Sequence, residues 1–220
     1  MIVLGLTGSI GMGKSTTTAM FAEAGALVWN ADDAVHRIYA KGGAAGRPVG
    51  EAFPGVVGGG GGGGAAPPPP RTRLAAALGA DGEAFRRLEA IVHPLVLKGR
   101  LEDLAAAEAR GVRLAVLDIP LLFETGGDAA VDAVVVVTAP AAVQAERVLA
   151  RPGMTRERLD AILARQMPDA EKRRRADFVI DTSVGLEAAR ARVEEIVGMV
   201  LAPGWSPPRR GLPKAAEPSH

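Results

Sequence analysis

Cysteine is absent from the 220-residue chain. Disulfides, thiolate nucleophiles and Cys-ligated zinc are thereby excluded. Neither sign of charge is in large excess. The formal net charge is +1, so no global field favours nucleic acid or an anionic membrane, and any basic chemistry has to be local. Long hydrophobic runs are also missing; the longest, around 131–140, is far too short to span a bilayer. The amino terminus has no positive region ahead of its short apolar run, which Gly5 and Gly8 interrupt early, so a first strand is expected there and not a signal peptide. No internal repeat is visible. The expectation is a soluble cytoplasmic protein. Its 48% hydrophobic residues allow one substantial core, or one core with a small appended subdomain.

What is present begins at once. Within GLTGSIGMGKSTTTAMF, residues 5–21, the positions Gly8, Gly13, Lys14 and Ser15 fit G-x-x-x-x-G-K-[ST], a loop that holds a chain of phosphates. The backbone of Gly8, Gly11, Met12 and Gly13 can curl so that successive N–H groups converge on phosphate oxygens. The helix that follows adds its positive end. Lys14 reaches the β- and γ-phosphates, the Ser15 hydroxyl can ligate Mg²⁺, and Thr16 can donate to the α-phosphate. A chance match in a Gly-rich turn is the alternative. The context favours function, because the loop follows a predicted strand and opens a predicted helix.

Short apolar strands at 2–7, 26–29, 113–119, 131–139 and 178–181 alternate with helices at 14–24, 31–41 and 186–201. That pattern predicts an α/β domain with a mostly parallel sheet. Residues 83–110 read as two helical stretches broken at His93-Pro94; with Arg71–Leu78 they form a helical insertion. Residues 140–176 form a second helical stretch loaded with arginine. Gly58–Pro70, seven glycines then two alanines and four prolines, is low complexity and expected to lack fixed structure. The tail from Pro203 has no periodicity and is expected to be mobile; Trp205 could dock on the surface, although a solvated terminus is the favoured reading.

A phosphate loop leaves the destination of the phosphoryl group open. No N-K-x-D guanine-reading motif occurs, and motor ATPases need longer chains, which leaves a small kinase. A hydroxyl acceptor must lose a proton, so a nearby carboxylate helps. Asp32 lies just past the second strand, where open α/β sheets bind ligands. It can serve there as base, or else as an N-cap worth roughly 1 kcal/mol; Asp33 is the better cap by position. Gln144, Arg147 and Arg151 recur at i, i+3 and i+7 along one helical face. Such a stripe is either a solvated surface or a lid face, and Pro152-Gly153 directly after it would suit a hinge.

GLTGSIGMGKST, NADDAVHRIYA, RRLEAIVHPLV, LDIPLLFE and ADFVIDTS occur in that order. Together they resemble the dephospho-CoA kinase family over roughly residues 1–200, interrupted at 58–70. The resemblance implies a P-loop, nucleoside-monophosphate-kinase-like fold: a five-stranded parallel sheet flanked by helices, with a helical CoA-binding insertion and a lid. It implies one kinase domain over 1–202, with core segments 1–40, 111–139 and 177–202, insertion about 41–110, and lid about 140–176. The tail at 203–220 stands outside it. It implies transfer of the ATP γ-phosphoryl to the ribose 3′-hydroxyl of dephospho-CoA, with Mg²⁺, no nucleic-acid or membrane partner, and a monomer or weak homo-oligomer.

Residue by residue, the resemblance makes Asp32 the catalytic base and places His36, Arg37, His93 and Glu124 with the acceptor. Arg147 and Arg151, with Arg165 less central, become lid arginines closing on ATP. Asp118 either assists Mg²⁺ or only closes its strand. Lys172–Arg175 reads as a solvated face, with its position before Ala176-Asp177 leaving nucleotide contact as the alternative. There are departures: His36 stands where relatives have arginine, Pro70 where they have aspartate, and Thr182 where asparagine is common. The rivals are another small-molecule kinase, such as one for a nucleoside monophosphate, and a nucleotide-sensing module without turnover. The arginine-rich lid speaks against the sensor.

Overall fold

The computed structural model describes residues 1–40, 42–53 and 82–209. The low-complexity run at 58–70 and the helix expected at 71–78 lie outside the described residues, as does the tail from 210. Two compact units are present, one made of 1–29 with 107–220 and the other of 30–106.

The first unit is built on a sheet of five strands in the order β2-β3-β1-β4-β5. These are β1 (Ile2–Thr7), β2 (Leu27–Asn30), β3 (Leu114–Asp118), β4 (Ala133–Thr138) and β5 (Phe178–Asp181). β1 pairs in parallel with β3, Leu4 opposite Val116, and with β4, Gly5 opposite Val134; β4 pairs in parallel with β5. The central strands are buried along their whole length, which is why they read as unbroken apolar runs and not as alternating ones. On one sheet face, Leu4, Leu6, Val135 and Val137 pack with Phe21 of α1 (Lys14–Glu23) and with Val193 and Ile196 of the final helix. Each such side chain contributes about 1.5–3 kcal/mol by leaving water.

Strand order decides where ligands can go. β1 and β3 are neighbours, and the connection from β1 runs to β2 on one side while that from β3 runs to β4 on the other, so the chain leaves their carboxyl ends in opposite directions. The loop after β1 therefore sits at the crevice of an open α/β sheet.

Helices α5 (Ala141–Leu149), α6 (Arg156–Leu163) and α7 (Asp169–Arg175) fill the stretch between β4 and β5, and α8 (Leu186–Leu201) follows β5. The chain beyond α8 corrects the expectation of a mobile tail as far as residue 209. Trp205 packs against the main core. Arg209 reaches Asp177 at 2.5 Å and Asp128 at 3.0 Å, and its backbone N–H donates to the Asp132 carbonyl at 3.1 Å.

The second unit contains α2 (Ala31–Tyr39), α3 (Gly46–Ala52) and most of α4 (Gly82–Ala109). The break expected at His93-Pro94 does not occur; α4 runs through it. Proline removes one helical N–H and costs about 3 kcal/mol in a helix interior. Against that, Leu88, Ile91 and Leu95 lie on both sides of Pro94 and pack together with Val49 and Phe53 of the α3 region. Their i, i+3, i+7 spacing demands one continuous helical face.

Candidate active site

The phosphate loop is shaped by contacts that exclude side chains. A Cβ on Gly8 would lie 2.6 Å from the Val137 carbonyl oxygen, so β4 backbone passes where any other residue would need room. Gly11 has φ +78°, and a Cβ there would meet Val148 at 2.4 Å. The loop tip is also held by side chains. The Ile10 carbonyl accepts from Gln144 Nε2 at 2.8 Å, and the Ile10 N–H donates to Gln166 Oε1 at 3.1 Å.

Lys14 opens α1 and forms an ion pair with Asp118 Oδ1, at the end of β3. Thr18, one turn on, donates to the other Asp118 oxygen at 3.1 Å. The Asp118 side chain is nearly inaccessible to solvent, so its charge is balanced by Lys14 in a poorly hydrated place. Asp118 thus does more than close its strand. Ser15 and Thr16 are exposed at the start of α1, and Thr16 lines the cavity beside the loop.

A cavity of about 260 Å³ opens beside the loop, walled by Gly11, Gly13, Thr16, Arg147, Arg151 and Thr182 among others. Arg147 is fixed in this wall: its two terminal nitrogens donate to the hydroxyl and the carbonyl of Thr182, each at 2.8 Å. The Thr182 hydroxyl in turn donates to the Met12 carbonyl at 2.9 Å. At Gln144 and Arg147 the polar stripe on α5 is therefore not a solvated face. Gln144 is 6% exposed and meets the loop, Arg147 meets the turn after β5, and Arg151, just past the helix end, lines the cavity.

Glu124 and Lys172 correct a second expectation. Lys172, read with its arginine neighbours as a solvated face, is 0% exposed and pairs with Glu124 Oε1 at 2.9 Å. The same oxygen accepts the Met167 N–H at 2.7 Å. Burial alone would raise the Glu124 pKa, but the Lys172 and backbone donors outweigh it and hold the carboxyl below the ordinary glutamate value. Arg173 and Arg174 are exposed, as the solvated reading requires, whereas Arg175 lies 4.5 Å over the Phe123 ring and bonds Asp128 at 3.0 Å.

A glycine-rich loop whose lysine is paired with a carboxylate at the β3 end thus stands beside an arginine-lined cavity. A family model described as dephospho-CoA kinase matches residues 2–188. The chain belongs to the dephospho-CoA kinase family. The dephospho-CoA kinase of Mesorhizobium japonicum is 59% identical over 197 residues, covering 90% of this chain and 95% of the relative. That of Rhodopseudomonas palustris strain BisB18 is 56% identical over 197 residues, covering 90% and 94%. Among solved structures, TT1252 from Thermus thermophilus is 34% identical with a TM-score of 0.75, covering 91% of this chain and 98% of that one. A dephospho-CoA kinase from Campylobacter jejuni shares the fold at 22% identity and a TM-score of 0.59, covering 89% and 95%.

The residues that the family resemblance placed with the acceptor are Asp32, His36, Arg37, His93 and Glu124. Glu124 belongs to the first unit; the others fall in the second. Asp32 stands two residues after β2, exposed, in the first turn of α2. The capping role weighed for Asp32 and Asp33 belongs to Asn30, whose side chain accepts from their N–H groups at 2.8 and 3.1 Å. Both acidic residues stand in the first turn, at the positive end of the helix. His36 and Arg37 are exposed one turn later, and Arg37 is held by Asp103 of α4 at 2.6 Å. His93 is exposed on α4. Arg165 is exposed in the first unit.

Sequence reasoning missed Thr182, Gln166 and Lys172. Thr182 had a readable signal, since it directly follows the carboxyl end of β5, where ligand-side residues gather. Gln166 and Lys172 had none: their partners Ile10 and Glu124 are 156 and 48 positions away in the chain.

Proposed function

We propose that this chain transfers the γ-phosphoryl of ATP to the ribose 3′-hydroxyl of dephospho-CoA, giving CoA and ADP, the last step of coenzyme A biosynthesis. The observation that carries the reading is the phosphate loop with Lys14 engaged by Asp118, opening onto the cavity walled by Arg147 and Arg151, in a chain of this family.

Transfer is in-line, with no covalent enzyme intermediate. Lys14 exchanges its Asp118 partner for the β- and γ-phosphates, and the amides of Gly8, Gly11, Met12 and Gly13 line the loop that cradles them. Thr16 donates to the α-phosphate. Arg147 and Arg151 neutralise charge that spreads over the transferring group. Asp32 accepts the proton of the attacking hydroxyl. His36, Arg37, His93 and the second oxygen of Glu124 orient the acceptor.

Mg²⁺ suits the oxygen donors present, a hydroxyl at Ser15 and the carboxylate of Asp118. Ser15 would hold it, and it would supply Lewis-acid stabilisation of the negative charge on the phosphates. The enzyme works in the cytoplasm as a monomer or weak homo-oligomer, on small molecules and without nucleic-acid or membrane partners. Among the described residues no helix is long and apolar enough to cross a membrane.

The test is acceptor-dependent ADP release with ATP and a panel of acceptors. Dephospho-CoA is expected to give the highest kcat/KM. A higher value for AMP would overturn the acceptor assignment, and ADP release indifferent to any acceptor would overturn the kinase reading.

A further inference from the structure

The fully buried ammonium of Lys172 belongs to a closed circuit of hydrogen bonds that begins and ends at the phosphate loop. Lys172 Nζ lies 2.9 Å from Glu124 Oε1 and 3.4 Å from the Pro120 carbonyl. That carbonyl also accepts from Thr7 Oγ1 at 3.0 Å, at the residue just before the loop. Glu124 Oε1 holds the Met167 N–H at 2.7 Å. The neighbouring Gln166 holds the Ile10 N–H at the loop tip, at 3.1 Å.

A buried ion pair is a poor way to gain stability, since desolvating both charges offsets most of their attraction. What such a pair does supply is direction, because each charge must meet its partner at a defined place. Here the defined place is the peptide between α6 and α7. Gln166 is only partly buried and leaves α6 on a connection that ends at Pro168. Its amide can hold Ile10 only if residues 166–167 are pinned; the Leu163 carbonyl accepts the Gln166 N–H at 3.1 Å, and Glu124 pins Met167.

We propose that the Lys172–Glu124 pair is a positioning device for the phosphate loop, acting through Met167 and Gln166 on the Ile10 peptide, and that Lys172 does not itself touch nucleotide. The proposal rests on the phosphate-loop half of the functional reading and is independent of the acceptor's identity.

The experiment compares Gln166→Ala, Lys172→Met with Glu124→Gln, and the triple variant. It measures ATP dissociation constants by titration, unfolding temperature, and hydrogen exchange of the peptide spanning residues 8–13. Lys172→Met alone leaves a buried carboxylate unpaired and is expected to unfold easily; the paired replacement removes both charges and is expected to restore the unfolding temperature. Restored stability is expected without restored binding. ATP affinity should fall roughly tenfold, as for loss of one hydrogen bond of the stronger kind, and exchange at 8–13 should quicken while core strands stay protected. Gln166→Ala alone should weaken ATP to a similar degree, and adding it to the double variant should cost no more than about a further twofold.

If the double variant recovers stability and wild-type ATP affinity together, the pair is merely structural and the proposal is overturned. Losses from Gln166→Ala and the double variant that multiply in full would break the circuit and overturn it as well. Should the double variant remain unstable, Gln166→Ala still decides, because wild-type affinity and loop exchange in that variant would remove the link to Ile10. Because ATP binding needs no acceptor, a wild-type protein inactive on dephospho-CoA would sink the acceptor assignment and leave this test intact.

Discussion

Lys14 of the phosphate loop is bound to Asp118 at the end of β3, with Thr18 donating to the other oxygen of the same carboxylate. The ammonium proposed to meet ATP phosphates therefore already has an anionic partner. On that proposal nucleotide binding is an exchange of one partner for another, not a simple gain. Asp118→Asn removes the competitor. Metal-free ATP is expected to bind that variant at least as tightly as the wild type. Turnover with Mg²⁺ is expected to fall roughly tenfold or more, because a charge-assisted bond is worth about 1.5–3 kcal/mol. Titration without metal beside steady-state kinetics with it checks both halves, and clearly weaker metal-free binding would contradict the exchange.

Asp32 and Asn30 can be separated by mutation because the cap and the carboxylate are different residues. Asn30→Ala should cost about 1 kcal/mol of stability through loss of the α2 cap. Asp32→Asn keeps that cap, so stability should change little and ATP binding should stay nearly intact. Turnover should drop by at least about 100-fold, the low end for loss of a general base. Near-normal turnover in Asp32→Asn would end its assignment as base.

Gly8 tolerates no side chain for a reason distinct from backbone conformation. The obstructing atom is the Val137 carbonyl oxygen, 2.6 Å from the added Cβ, and backbone inside a central strand cannot swing aside as a side chain can. Gly8→Ala should therefore displace the loop from β4. Its expected cost is roughly 1–3 kcal/mol, the range for overpacking, with ATP affinity falling alongside. Wild-type ATP affinity and unfolding temperature in this variant would show that the close approach is not required.

Glu124 gives the stability a pH dependence of known sign. Its carboxyl is held below the ordinary value of about 4.3. The unfolded chain therefore takes up this proton first as pH falls. The contribution of the pair is fully present above about pH 5 and is lost progressively on descending from there through the lowered folded-state value. The unfolding temperature should be insensitive to this group between pH 7 and pH 5 and should fall more steeply below. In Glu124→Gln that part of the acid slope should vanish, and an unchanged slope would mean that Glu124 is not the titrating group.

The parts of this fold that could be read from sequence are those whose physics is local. Parallel strands buried on both faces must be continuous apolar runs, and a phosphate loop must have glycine where the backbone is crowded, so β1, β3, β4 and residues 8–15 were legible. Pro94 misled because the local cost of proline is visible in sequence, whereas the packing of Leu88, Ile91 and Leu95 that outweighs it is not. Lys172 misled for the same reason. In KRRR it is one cation of four, and only the fold turns it inward toward Glu124. Asn30, Asp32 and Asp33 all have the chemistry of a cap, and only the backbone bend at Asn30 decides which of them starts the helix.

Arg209 and Trp205 make the same point at the carboxyl side and lead to a separable prediction. Arg209 joins Asp128, Asp177 and the Arg175 carbonyl, while Trp205 covers the edge of the main core. The contacts lie at the amino ends of β4 and β5, since Asp177 precedes β5 and its carboxylate accepts from the Val134 N–H at 2.8 Å. The phosphate loop follows the carboxyl end of β1, which runs parallel to β4, so this strap and the nucleotide cavity occupy opposite ends of the sheet. Arg209→Ala should thus lower stability without altering catalysis. Because the guanidinium is about a quarter exposed, solvent screening limits the loss to about 1 kcal/mol, or roughly 2–4 °C in unfolding temperature for a chain of this size. Combining it with Trp205→Ala should deepen the loss while kcat and the KM for ATP stay at wild-type values well below the unfolding transition. A change in KM for ATP at equal foldedness would instead tie the strap to the nucleotide site.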